Sequence, residues 1–156
     1  MKQLLFWIVF ICLLSACRQY GNEVRINANS HIYYKSGIQQ AEAKKLGDFL
    51  LHQGYFNTSD DRKVQLSKEG NRYLVKFILD EEEIKEDQEN IVFAFQVWRD
   101  WIHEHVFENN PVKVILVNKS LKKIADVPSL EEDEKKASQQ EDGHPSRFSV
   151  DTILTK

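Results

Sequence analysis

Two cysteines, five histidines and 24 carboxylates are the side chains from which this 156-residue chain would build a reactive site. Cys12 sits inside the apolar run Leu4 to Leu14, and Cys17 follows the small pair Ser15-Ala16. No cysteine lies beyond them, which excludes a thiolate nucleophile, a thiolate metal site or a redox pair in the rest of the chain. His103-Glu104-His105 falls in a predicted helix. There, residues two apart point about 200° from each other, unlike the i,i+4 pair of a zinc-binding HExxH helix. The spacing places His105 at the core edge and His103 in solvent, near the favourable end of the helix dipole. Asp80 to Glu89 carries seven acids but lacks the alternation and central glycine of a calcium loop, so it reads as a solvated loop leading into a helix. No G-x-S-x-G, phosphate-cradling glycine loop or dinucleotide fingerprint occurs. Trp98 and Trp101 offer aromatic surface for a sugar, but their helical spacing beside Ile102 reads as core. No catalytic residue, metal ligand or cofactor is named by these tests. Surface carboxylates meeting in space are the one remaining route to a small hydrolase or ligand binder.

The N-terminal stretch has a clearer chemistry. Lys2 precedes eleven apolar residues, Leu4 to Leu14, and Ser15-Ala16 precede Cys17. This is the three-part pattern of a signal peptide. As a helix, eleven residues rise about 16 Å, roughly half of the ~30 Å hydrocarbon core, so cleavage is favoured over a permanent span. Leu14-Ser15-Ala16-Cys17 resembles the lipobox of bacterial lipoproteins. The resemblance covers residues 1–17 and implies diacylglycerylation of the Cys17 thiol, removal of residues 1–16 and acylation, palmitate included, of the new amine. Two or more acyl chains make such an anchor stable where one would be marginal. In enterobacterial lipoproteins an aspartate after the cysteine marks inner-membrane retention. Arg18 stands there instead, so the resemblance implies an outer-membrane address in a Gram-negative envelope.

Removing residues 1–16 from 156 leaves 140, enough for one domain with flexible ends. The leader takes one of the 21 basic residues and none of the 24 acids, leaving 20 against 24 and a net charge of −4. This gives no electrostatic case for nucleic acid. Residues 17–30 are polar, with Val24 and Ile26 their only large aliphatics, and read as the lipidated cysteine and a flexible tether.

Residues 31–127 read as a small α+β domain. His31 to Lys35 is aromatic and β-branched, a strand. Ala43, Leu46, Phe49 and Leu50 recur at three- and four-residue spacing, predicting a helix over 39–53 capped by Gly54. Gly47 in its interior costs about 1 kcal/mol relative to alanine, which suggests close backbone packing. Residues 63–67 and 73–79 flank Glu69-Gly70-Asn71 as a hairpin, with Val64, Leu66, Tyr73, Val75, Phe77 and Leu79 facing the core. Residues 90–107 form the second helix and 112–117 the last strand; Leu121, Ile124 and Val127 finish the domain edge. The order β-α-β-β-α-β predicts a ferredoxin-like fold: a four-stranded antiparallel sheet, right-handed crossovers and both helices on one face.

Tyr33-Tyr34, the segment Glu42 to Leu50, Gly54-Tyr55-Phe56, Val64-Gln65-Leu66, Gly70 with Tyr73, Val106-Phe107 and Pro111-Val112 resemble a small domain of unknown function. It recurs in bacterial membrane-associated proteins, sometimes in tandem. The resemblance spans residues 31–118, implies packing and turn positions and offers no catalytic motif. Residues 128–156 are acidic and poor in large apolar residues, predicting a disordered tail. Phe148, Val150, Ile153 and Leu154 form an apolar cluster within it that either docks or stays mobile. Together these features predict a lipid-anchored envelope protein acting as a non-enzymatic interaction or scaffold module. Its partners would be membrane lipid through Cys17 and a second copy or an envelope protein. The expected interaction face is the helix-free side of the sheet, where Leu74, Ile78, Ile115 and Val117 would be exposed.

Overall fold

Period-two alternation between Lys63 and Ile78 produces the centre of the fold. In the computed structural model, which describes residues 19–57 and 60–129, Arg62–Glu69 (β3) and Arg72–Ile78 (β4) pair antiparallel around a two-residue turn at Gly70-Asn71. Gly70 takes φ +62°, a conformation in which glycine carries no steric cost. Val64, Leu66, Val75 and Phe77 are fully buried on one face of this hairpin, as the alternation predicts.

On one side of the hairpin lie Asn22–Arg25 (β1), Ser30–Tyr34 (β2) and the helix Gln40–His52 (α1). On the other lie the helices Glu81–Glu86 (α2) and Gln88–Trp101 (α3), a π turn over Ile102–Val106, and the strands Val112–Val117 (β5) and Lys123–Val127 (β6). The six strands lie in sequence order, β1 to β6, in a mixed sheet: β2 pairs parallel with β3 and β4 parallel with β5, while the other neighbours are antiparallel. The chain is therefore α+β, but not a four-stranded antiparallel ferredoxin-like sheet. A split crossover needs a third strand inserted between the two that it joins. Here each crossover joins direct neighbours, and the central hairpin links the two βαβ units edge to edge. Both arrangements share one element order, so the order alone does not distinguish them.

Two further corrections concern the edge strand β1 and the acidic run after β4. Residues 22–25, expected in a flexible tether, form the edge strand β1, paired with β2 from Asn22↔Tyr34 to Arg25↔His31. The acidic run expected as a loop opens α2, with Asp80 Oδ1 accepting the Glu82 N–H. The disordered tail and its apolar cluster, expected over 128–156, lie beyond the described residues from 130 onward.

Rows of cross-strand neighbours build the core. Ile32, Val64, Phe77, Leu116 and Ala125 align across five strands, and the face they share also carries the buried sides of α1, Ile84 of α2, Phe95 of α3 and Ile102 and Val106 of the π turn. Gly47 is part of this packing. A Cβ there would lie 2.2 Å from Ile26 Cδ1 and 3.1 Å from Ile32 Cγ1, so glycine lets α1 settle onto the β1–β2 end of the sheet. Both edge strands are short and carry charge, Asn-Glu-Val-Arg in β1 and Lys-Ile-Ala-Asp-Val in β6, which discourages edge-to-edge pairing.

Candidate functional site

The helix-free face has its own apolar cluster. Ile78 and Val117 share one cross-strand row, flanked by Lys63 and Lys123; Ile115 lies in the next row between Lys76 and Asp126, and Leu74 in a third beside Lys113. The sheet thus brings together the four residues of the expected interaction face, Leu74, Ile78, Ile115 and Val117. It does not expose them: they are 4%, 8%, 9% and 0% accessible, with Tyr20 and Leu121 packed against them. The strand register correctly pairs the side chains, whereas exposure depends on chain that folds back over the sheet, which alternation does not report.

That returning chain is the segment before β1. Gly21 turns at φ +97°, where any Cβ would meet the Tyr34 carbonyl oxygen at 2.4 Å, and this brings Gln19 and Tyr20 over the sheet. The buried Gln65 of β3 holds them: its Nε2 donates to the carbonyls of Tyr20 at 2.8 Å and Gln19 at 3.2 Å. Gln19 Nε2 donates to the Ser120 carbonyl at 3.0 Å, and the Tyr20 hydroxyl donates to the Lys119 carbonyl. The Tyr20 ring lies 4.9 Å from that of Tyr33, whose hydroxyl pKa is raised by burial and then by the Glu23 charge. Cys17, the expected lipidation site, lies outside the described residues, two positions before this clip.

The β5–β6 turn that receives the clip is itself well braced. Asn118 Oδ1 accepts the Ser120 and Lys122 N–H groups, each at 3.0 Å, and Asn118 Nδ2 donates to Glu81 at 3.1 Å. Leu121 sits at φ +59°, strained backbone for a leucine, with its N–H bonded to the Asn118 carbonyl and its side chain on the aliphatic cluster. Its apolar spacing with Ile124 and Val127 assigns Leu121 only to the domain edge; a positive φ at leucine leaves no compositional signal.

The remaining candidates for chemistry are dispersed or engaged. His103 lines a cleft of about 770 Å³ with Arg72, Arg99, Lys113, Asp126 and Pro128, while His105 is 53% exposed beside Phe49. The two histidines thus exchange the expected environments. The π turn, closed by Phe107 N–H to the Ile102 carbonyl, adds a residue to the last turn and rotates the faces that follow it. Asp126 is paired with Lys113 and Lys123, and Asp100 with Arg99 at 2.7 Å. Lysine contacts, those of Lys123 first, hold the Asp126 carboxyl below its usual range, the direction opposite to that of a general acid. Trp98 and Trp101 meet edge to face at 73°, which gives no flat platform for a sugar. Among the described residues, no group of three or more His, Cys, Asp or Glu side chains is placed to hold a metal ion.

The most tightly built polar node lies at the other end of the sheet. The Tyr73 hydroxyl donates to Glu42 Oε1 at 2.5 Å, Lys68 reaches the same oxygen at 3.1 Å, and Glu42 Oε2 accepts the Gln39 N–H at the start of α1. Tyr73 stacks on Phe107 with ring centres 3.8 Å apart, and Lys68 lies 4.3 Å from the Tyr73 ring centre. Burial pushes the Glu42 carboxyl up, but the Tyr73, Gln39 and Lys68 hydrogen bonds together bring it below its ordinary value. This node joins α1, β3, β4 and the end of the π turn. It consists of residues singled out by the resemblance, with Lys68 and Gln39 added, and its role is to hold these elements together.

A family model described as a family N-terminal domain matches residues 23–129, which takes in every described strand and helix apart from the first residue of β1. No curated protein and no solved structure matches the chain. The matched region is more than half of the sequence, and the chain belongs to the family that this N-terminal domain defines.

Proposed function

We propose that the chain is a lipid-anchored envelope protein whose domain serves as a non-enzymatic interaction or scaffold module. The observation that carries this reading is how soon after the lipobox the chain is already held by the sheet. Contacts of the folded domain reach back to Gln19, two residues after the cysteine at which the lipobox would end the leader and place the lipid. A leader cut before Cys17 leaves the clip, β1 and the sheet intact, so processing and folding are compatible at this junction. Cys17 is then the lipid-bearing residue, and membrane lipid the first partner. Arg18 in place of aspartate favours the outer membrane in a Gram-negative host. A second copy or another envelope protein would complete the assembly through surfaces other than the buried aliphatic cluster.

A non-enzymatic role is supported by the carboxylates. Among the described residues, the carboxylates whose pKa values move, Glu42, Asp80, Glu81, Glu108 and Asp126, all move downward with lysine or hydrogen-bond partners, as structural acids do.

The anchor is tested by metabolic palmitate labelling of the native chain and of Cys17→Ala. The native chain is expected to take label and fractionate with membranes, and the variant to lose the label and change its fractionation while keeping its melting transition. Label retained by Cys17→Ala would refute the anchor.

A further inference from the structure

A lipid at Cys17 would leave almost no slack between the membrane and the fold. Two residues extend at most about 7 Å, and Gln19 is fixed by its backbone to Gln65 and by its side chain to Ser120. A tether running to residue 30 would have let the domain drift by tens of ångströms; the clip removes that freedom. The part of the domain nearest the anchor is thus set by geometry: the helix-free face of the sheet and the β5–β6 turn. That turn carries Lys119 and Lys122, and Lys123 follows as the first residue of β6. Lys119 and Lys123 pair with Asp80 and Asp126 at 2.8 and 2.7 Å, yet their side chains remain 80% and 58% exposed, and Lys122 is exposed beside them. The helices, with α1 and its exposed Lys44-Asp48 pair, lie on the opposite face.

We propose that the Gln19–Tyr20 clip seats the domain directly on the bilayer, with the β5–β6 turn lysines against anionic phospholipid headgroups and the helical face turned away. This rests on the lipid-anchor reading and adds an orientation and a lipid preference to it. Basic residues near an anionic surface each contribute about a fivefold gain in local attraction, falling off within a Debye length, so only lysines held this close to the anchor count.

The test uses natively lipidated protein with its palmitate content measured. A fluorophore is placed at Ser120→Cys on the turn or Lys44→Cys on α1; processed chain offers no other free thiol once Cys17 is acylated. The protein is reconstituted into vesicles of phosphatidylethanolamine with phosphatidylglycerol, or of phosphatidylcholine alone, each carrying a headgroup-level quencher. Quenching at position 120 is expected to exceed that at 44 several-fold, and more so with phosphatidylglycerol. Lys119→Gln/Lys122→Gln/Lys123→Gln is expected to abolish the difference between the two vesicle types. Palmitoylated protein quenched equally at the two positions, or more at 44, overturns the seating and leaves the anchor standing. A lipid effect untouched by the triple variant overturns the role of the lysines, and protein without palmitate overturns the anchor and the seating together.

Discussion

Glu42 illustrates how a single side chain joins elements far apart in the chain. It closes the start of α1 through the Gln39 N–H, receives the Tyr73 hydroxyl from β4 and pairs with Lys68 of β3. All three partners favour its charged form, and its pKa lies below the ordinary value of 4.5. A depressed carboxylate contributes stability that is complete above the unfolded pKa and is lost as the pH falls through the folded one. The wild-type protein is therefore expected to lose urea resistance as the pH falls below about 4.5, and Glu42→Gln to show a shallower loss over the same window from a lower starting stability. An unchanged acid slope in the variant would remove Glu42 from this role. The resemblance already pointed to Glu42, Tyr73 and Phe107, but residues 31 and 34 positions apart betray no contact in sequence, and the node emerges only when β4 runs beside β5.

At the scale of elements, α1 was predicted within a residue or so of its observed ends because its apolar residues repeat at helical spacing and Gly54 stops it, and its interior glycine foretold close packing. The structure supplies the partner, Ile26, from a segment that had read as tether. Gly47→Ala is expected to gain helix propensity but to displace Ile26 from the helix surface, for a net loss of about 1–2 kcal/mol in chemical denaturation. Ile26→Ala should relieve the clash, so the double variant is expected to be less destabilised than the sum of the two singles. The central hairpin was equally legible, from alternation around a glycine turn. The edge strands were not. β1 and β6 are short and mixed in polarity, and they become strands only because β2 and β5 present unpaired edges to them. Strand order was the remaining ambiguity, since periodicity reports faces and never neighbours.

For the whole molecule, the N-terminal clip decides more than its two residues suggest. It converts an expected tether into part of the fold and explains why the four aliphatic side chains expected to meet a partner lie out of solvent instead. Gly21→Ala places a Cβ against the Tyr34 carbonyl in a positive-φ conformation and is expected to cost about 1–3 kcal/mol, with trypsin cleavage after Arg25 accelerated several-fold as β1 loosens. Gln65→Ala should release the clip by another route and produce the same cleavage pattern; native resistance in both variants would show that the clip does not hold the sheet edge. The candidate site was thus only partly readable. The lipidation proposed at Cys17 rests on its neighbouring residues in sequence, whereas the docking of Gln19 and Tyr20 depends on a glutamine in the middle of β3 that looks, in sequence, like any outward-facing polar position.

Gln19 and Ser120 stand 101 positions apart and are joined by one hydrogen bond, which gives the clip a mechanical consequence. Tension entering through the N-terminal end does not first meet the four-residue ladder of β1. It is delivered to Gln65 in the third strand and to the turn between the fifth and sixth, so the load is spread across the width of the sheet. The weakest strand is shielded from being peeled away, and the clip, built from side-chain hydrogen bonds, would yield before the backbone ladders do.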